Sequence, residues 1–402
     1  MSDAWDTKPL GEIITLQRGF DLPMQLRSDG EIAVIGSNGI VGFHNLTPAS
    51  VPIPGLMLGR SGSVGEITLW GKPYWPLNTV LYVKDFHGND PRFLSYWLRL
   101  FPFKQYAEGV SVPTLNRNSI HDVPFPLPKL DDQLRISIAL AAIEVGINCN
   151  SRALVTAHEL KRASMRKLFT RGLRGETQKE TEIGLVPESW EPRAVLDLCE
   201  IQSGGTPRKS VAEYWVGEIP WASGKDLKVP TLRDTIDHIS EGGVNAGSRL
   251  APTDAVLILV RGMGLVKDLP VAVISRPMAF NQDLKALVSR GEFSGTYVRS
   301  AIYCAKDRLL SRIVPSAHGT MTLNLDDIET FKIACPSDPD EANEIVEILN
   351  ALDRKIDLHG RKRAILDKLF EALLHKLMTG EIRAADLDLS ALGVPTALET
   401  AA

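Results

Sequence analysis

The chain lacks the marks of a catalyst. It has no Gly-x-x-x-x-Gly-Lys-Ser/Thr phosphate loop; the nearest approach, Ser223-Gly224-Lys225-Asp226, carries Asp where a Mg2+-binding hydroxyl belongs. Gly59, Gly62 and Gly65 do not form a Gly-x-Gly-x-x-Gly turn, and neither His-Glu-x-x-His nor an Asn/Asp-Pro-Pro-aromatic motif occurs. Eight histidines are scattered; His44 and His318 stand in loops, where a lone histidine is more often a surface or core residue than a site. Cysteine is scarce. The four, Cys149, Cys199, Cys304 and Cys335, make no Cys-x-x-Cys pair, which argues against structural zinc and a disulfide framework and for reduced thiols that fill a core. No uninterrupted apolar run approaches the roughly 20 residues of a membrane helix, and Met1 to Leu10 has no basic-then-apolar signal pattern, so a cytoplasmic protein is expected. An excess of one charge is missing too: 45 basic against 49 acidic residues give −4. By segment, residues 1–128 carry −1, 129–179 carry +5, 180–336 carry −3 and 337–402 carry −5. Nucleic-acid binding would therefore need a local patch or a more basic partner.

What is present is a duplication. Thr114-Leu115-Asn116, Ile120 and Pro128 recur as Thr322-Leu323-Asn324, Ile328 and Pro336, always 208 residues later. So long a period is not a solenoid repeat; it marks a module of one globular domain and one long helix, present twice. Residues 1–128 read as a mixed α/β domain: Glu31–Ile35, Gly55–Leu58 and Thr79–Val83 as strands, Arg92–Phe101 as a helix. Residues 185–336 repeat the plan, with strands at Ala255–Val260 and Val271–Ile274 and a helix over Tyr297–Leu310.

The long helices are expected over 129–170 and 337–380. Ile345, Leu349, Leu352, Ile356, His359, Arg363, Leu366, Phe370, Leu373 and Leu377 alternate in steps of four and three. The first copy has Ile136, Leu140, Ile143, Ile147, Asn150, Leu154, Ala157, Lys161, Ser164 and Leu168 in the same steps. This is coiled-coil periodicity. Asp131, Asp132, Asp338 and Asp340 offer N-caps and first-turn acids, and Gly172 and Gly380 follow the last turns. Each helix would be roughly 60 Å long. The simplest partner for each apolar stripe is the other helix, paired antiparallel in a pseudo-twofold α+β (mixed α/β) chain. Asn150, His359, Lys161 and Arg363 in the seam either fix register or are solvated flank positions. Residues 171–184 read as an exposed linker and 381–402 as a flexible tail.

Without a catalytic motif, a duplicated chain reads as a binding protein, and two copies on a rigid spacer suit two features a fixed distance apart. Leu58-Gly59-Arg60-Ser61-Gly62-Ser63 and Leu259-Val260-Arg261-Gly262-Met263-Gly264 each end a strand with Arg in a glycine-rich turn. Such turns suit phosphate oxygens or a guanine edge; they are also ordinary hairpins with a solvated Arg. Gln17-Arg18 and Gln202-Ser203 form a second pair. Lys72, Arg208, Lys209 and Lys225 add local positive charge, and the aromatics of Lys72–Trp75 and Tyr214–Trp221 are either contact surfaces or core.

These residues carry a resemblance. Thr-Leu-Asn, then Val123-Pro124-Phe125-Pro126-Leu127-Pro128, Asp132-Gln133 and a long Ile/Leu helix closing in Lys167-Leu168-Phe169-Thr170, resembles the specificity subunit of Type I restriction–modification enzymes. The second copy has Phe331-Lys332-Ile333-Ala334-Cys335-Pro336, then Ile348-Leu349-Asn350-Ala351-Leu352-Asp353-Arg354-Lys355-Ile356, and ends in Lys376-Leu377-Met378-Thr379. It departs at Glu341-Ala342, where the family commonly has Glu-Gln. The resemblance implies a non-catalytic subunit whose two target-recognition domains each read half of a bipartite double-stranded DNA site. It implies that the helices set the spacing and dock two modification (methyltransferase) subunits that use S-adenosylmethionine. Motor-nuclease restriction subunits would use ATP and Mg2+, and this chain would bind no cofactor. A duplicated adapter for peptides or carbohydrates and a stand-alone DNA-acting enzyme remain the alternatives.

Overall fold

The computed structural model describes residues 5–49, 51–109, 111–315 and 319–390. His318 and positions 391–402 of the expected tail lie outside the described residues. The chain divides into two compact units, residues 1–152 with 360–402, and residues 153–359.

In the first unit, Asp6–Pro9 pairs antiparallel with Pro124–Leu127, closing the domain near its two ends. An antiparallel sheet runs in the order Thr15–Arg18, Val80–Asp85, Gly55–Gly59, Ile67–Trp70. A smaller sheet has Gly39–His44 antiparallel and Tyr74–Pro76 parallel to Ile32–Gly36. The helix Pro91–Leu98 starts on Asp90, whose carboxylate accepts the Phe93 N–H at 2.7 Å, with Pro at the first helical position. Its Phe93, Leu94 and Trp97 join Leu16, Leu56, Leu58, Leu81 and Val83 in the core.

The second unit repeats this topology. Glu191–Ala194 pairs with Lys332–Cys335. Cys199–Ser203, Leu284–Ser289, Val256–Leu259 and Val271–Ile274 reproduce the main sheet in order, and Thr231–Leu232 adds an edge. Asp237–Ile239, Ile219–Ala222 and Met278–Phe280 reproduce the smaller sheet, again with one parallel pair, and Leu250–Ala251 extends it. The helix expected over Tyr297–Leu310 is two: Gly295–Cys304 and Lys306–Leu310, separated by Ala305 at φ −98°, ψ 13°.

The long helices run Leu130–Arg171 and Pro339–Met378. Asp338 precedes Pro339 and accepts the Asp340 N–H at 3.0 Å. Gly172 and Gly380, at φ +60° and +72°, take the left-handed conformation that ends each helix. Within the first unit, Ile136 and Leu140 near one helix start share a core with Leu374 and Leu377 near the other helix end. Within the second, Met165, Leu168 and Phe169 pack with Ala342, Ile345 and Leu349. Both arrangements are antiparallel. Ile136, Leu140, Leu168, Ile345, Leu349 and Leu377 are buried, while Ile143, Ile147, Leu154, Leu352, Ile356, Leu366, Phe370 and Leu373 are half-buried. Arg363 leaves the seam: it is exposed and faces Asp367 on its own helix at 3.5 Å. Lys161 stays in, paired with Asp353 of the other helix, and burial lowers the pKa of its ammonium despite that partner.

Three further expectations change. Over 381–390 the tail expected to be flexible is held in the first unit: the Arg135 guanidinium donates to the Ala384 and Leu387 carbonyls at 3.0 and 2.8 Å, and Ile382 and Leu387 pack on the core. One 18-residue stretch of the first long helix has mean hydropathy 1.3, so by length and composition that helix is apolar enough to cross a membrane, although Glu144, Asn148 and Asn150 break every continuous run. The segment expected as an exposed linker is tied down. Arg174 forks onto Glu344 at 2.8 and 2.9 Å, the Leu173 N–H donates to Glu341, and Gln178–Thr181 forms a hairpin with Gly184–Pro187.

Candidate nucleic-acid interface

The geometry of each main sheet gathers the candidates at one edge. Strands Thr15–Arg18 and Gly55–Gly59 both run antiparallel to Val80–Asp85, so their C-terminal ends and its N-terminal end lie together. In the second unit the ends of Cys199–Ser203 and Val256–Leu259 meet the start of Leu284–Ser289 in the same way. Glycine is required beside both edges. A Cβ on Gly19 would stand 2.0 Å from the Leu77 carbonyl oxygen, and one on Gly204 2.4 Å from that of Asn281. Gln17 faces Tyr82 and Arg18 faces Leu81; Gln202 faces Ala286 and Ser203 faces Lys285. These two pairs are therefore equivalent positions.

The two arginine turns are not equivalent in the way their sequences suggest. The Leu115 N–H donates to the Arg60 carbonyl at 2.8 Å, and the Leu323 N–H donates to that of Val260 at 2.9 Å. Ser61 bridges Thr114, and Arg261 bridges Thr322. The Arg60 N–H bonds the Thr79 carbonyl and the Val260 N–H that of Asp283, both at 2.9 Å. Hence Arg60 matches the buried Val260, Ser61 matches Arg261, and Thr79 matches Asp283. Pairing Arg60 with Arg261 is off by one residue, because the returning Thr-Leu-Asn strand sets the register.

The side chains follow. Arg60 is half-buried, and its Nη1 donates to the Asn78 carbonyl at 3.4 Å. The Asn78 amide in turn bonds Asp21, which faces Arg18 at 3.6 Å. Ser63 donates to Asn38, and the Ser37 N–H bonds the Thr79 hydroxyl. Arg18, Arg60, Ser61 and Ser63 thus belong to one edge of the first domain. Lys72 does not: it follows Trp70, which pairs with Gly55 at the far end of the strand. Tyr74 and Trp221 are core residues, and Trp75 packs edge-on against Phe20 and His44.

In the second domain Arg261 and Lys225 line one groove of about 380 Å³ with Gly224, Leu259, Gly262, Met263, Gly264 and Asp283. Arg261 is exposed, and Gly262 turns the chain at φ +148°. Lys225 pairs with Asp237 at 2.7 Å, and that carboxylate raises its pKa. Ser203 accepts from Lys285 at 2.6 Å, a cation that no motif singles out and only strand pairing brings to this edge. Arg208 and Lys209 are exposed in the loop before Ala212–Trp215. Asp283 was also missed, since only the fold carries it to Arg261.

The family described as type I restriction modification DNA specificity domain matches residues 2–153 and 187–368, once per copy. The chain belongs to this family. The specificity subunit of the EcoR124I/EcoR124II type I restriction enzyme from Escherichia coli is 29% identical over 267 residues, covering 65% of this chain and 63% of that protein. The MjaIX specificity subunit of Methanocaldococcus jannaschii is 28% identical over 210 residues, or 50% and 47%. The chain thus spans less than two thirds of either relative. The MjaVIII specificity subunit of the same organism is 24% identical over 365 residues, 83% of this chain and 80% of that one. The crystal structure of a type I restriction–modification S subunit from M. genitalium superposes with TM-score 0.65 at 16% identity, covering 94% and 97% of the two chains, which shows the same fold.

Proposed function

We propose that the chain is the DNA-specificity subunit of a type I restriction–modification enzyme, in which each specificity domain reads one half of a bipartite double-stranded target. The observation that carries this reading is the pair of topologically matched sheet edges bearing different side chains: Arg60, Ser61 and Thr79 in one copy, Val260, Arg261 and Asp283 in the other. One scaffold with altered contacts at equal positions is what two different half-sequences require. The long helices set the separation of the halves and dock two modification subunits. Exposed apolar side chains on them, Val145 at 68% and Ile365 at 66% in the first unit, Val155 at 58% and Leu358 at 63% in the second, support a docking role. Methyl transfer from S-adenosylmethionine belongs to those subunits, ATP- and Mg2+-dependent cleavage to the restriction subunits, and this chain supplies base recognition without a cofactor. Near-neutral domains fit a complex in which partners contribute phosphate contacts.

The test is methylation by the reconstituted complex, mapped base by base. The reading requires methylated adenines in two short sequences at one fixed separation, lost when this chain is omitted. Methylation without sequence preference would favour an adapter, and methyl transfer by this chain alone would favour a stand-alone enzyme.

A further inference from the structure

The groove at Arg261 is built differently from its counterpart in the first domain. It holds Arg261 and Lys225 beside Asp283, and Lys225 is already engaged by Asp237 at 2.7 Å. Two ammonium or guanidinium groups are thus balanced by two carboxylates. Such a site does not concentrate phosphate, because Asp283 would repel the anion at close range. Among the described residues no hydrogen bond or ion pair holds the Arg261 guanidinium, which projects from a glycine turn with its donor fork exposed. Met263, 63% exposed, stands two residues further along the same turn. A free donor fork next to a carboxylate acceptor matches one partner closely. Guanine offers O6 and N7 as acceptors in the major groove, and its paired cytosine offers the N4 amine as a donor. The first domain has Ser61 and Thr79 at these positions, while its Arg60 bonds the Asn78 carbonyl.

We infer that the Arg261–Asp283 groove reads a single G·C pair in the half-target of the second domain, Arg261 donating to the guanine O6 and N7 and Asp283 accepting from the cytosine N4 amine. This rests on the function proposed above and adds the base pair, the side chains and the asymmetry between the copies. The site selects sequence rather than adding general affinity for DNA.

The experiment uses the complex of the full chain with its modification subunits. Its target is selected from random duplexes, and dissociation constants are measured for every base pair at each selected position. Wild type requires a G·C pair at one position of one half. Arg261→Ala should lose preference there by roughly 10- to 100-fold and leave the other half unchanged. Arg261→Gln should move the preference from guanine toward adenine, whose N6 and N7 suit an amide. Replacing that guanine with 7-deazaguanine should weaken the wild type and not Arg261→Ala. Unchanged base preference in Arg261→Ala overturns the inference. So does equal weakening on all duplexes with a shallower salt dependence, which would mark a phosphate contact. If the wild-type complex selects no split target, the proposed function itself fails, a result distinct from either of these.

Discussion

Glu341→Ala probes how the second specificity domain is fixed to its helices. Glu341 is 2% exposed at the start of the second long helix. Its carboxylate accepts the Trp190 indole N–H at 3.0 Å and the Leu173 N–H at 2.5 Å. Gly172 passes so close that a Cβ there would stand 2.7 Å from the same oxygen. Hydrogen bonds to a charged group contribute about 1.5–3 kcal/mol each, and an orphaned buried donor costs about 1–3 kcal/mol. Trp190 is fully buried, whereas Leu173 regains water partly, so truncation should cost about 3–5 kcal/mol. In urea unfolding followed by tryptophan fluorescence, a slope of about 3 kcal/mol/M puts the midpoint of this unit lower by about 1–1.7 M. Glu341→Gln keeps the shape but sets an amide donor against one of two donors, and should fall between. Glu344→Ala, which removes an exposed and solvent-screened partner of Arg174, should move the midpoint far less. A Glu341→Ala protein within about 0.5 kcal/mol of wild type would refute the reasoning.

Two more perturbations address the seam and the sheet edge. Asp353→Asn strands the Lys161 ammonium, whose side chain is 13% exposed, and should cost about 1–2 kcal/mol near neutral pH. Because its folded-state pKa lies below the ordinary lysine value, the unfolded chain binds the extra proton. Stability of the variant should therefore recover as pH rises toward 10.5, a trend that titrated urea midpoints read out directly. Gly204→Ala places a Cβ 2.4 Å from the Asn281 carbonyl oxygen and should cost several kcal/mol, whereas Gly71→Ala, with open space around it, should cost under about 1 kcal/mol; thermal midpoints compare the two.

The duplication and the long helices were legible because both are patterns of spacing. Thr-Leu-Asn keeps one offset between copies, and four-three steps from Ile136 to Leu168 need only a ruler. Glu341-Ala342 stood out in the sequence, and the fold accounts for it. In the first copy Gln133 is buried and bonds Asn89, Asp90 and Pro128; in the second, Ala342 fills that position with apolar volume and Glu341 takes the polar contacts. The site was legible only in part. An Arg in a glycine turn is a local feature, and two of them invite superposition. Their true register is set by hydrogen bonds from residues about 55 to 63 positions away, Leu115 to Arg60 and Leu323 to Val260. Asp283 reaches Arg261 only through strand pairing, and Arg174 holds the expected linker through ion pairs that composition does not announce.

If each specificity domain reads its half-target independently and the paired helices set the gap, as proposed, shortening both helices must shorten that gap. Lys161 pairs with Asp353 within the second unit, so in the antiparallel seam residues 155–161 run opposite residues 353–359. Removing both segments deletes one heptad from each helix and preserves the seam. Methylation mapping of the reconstituted complex should then return the same two half-sequences with a shorter gap between them. An unchanged gap, or half-sequences that change while the gap stays, would contradict the account.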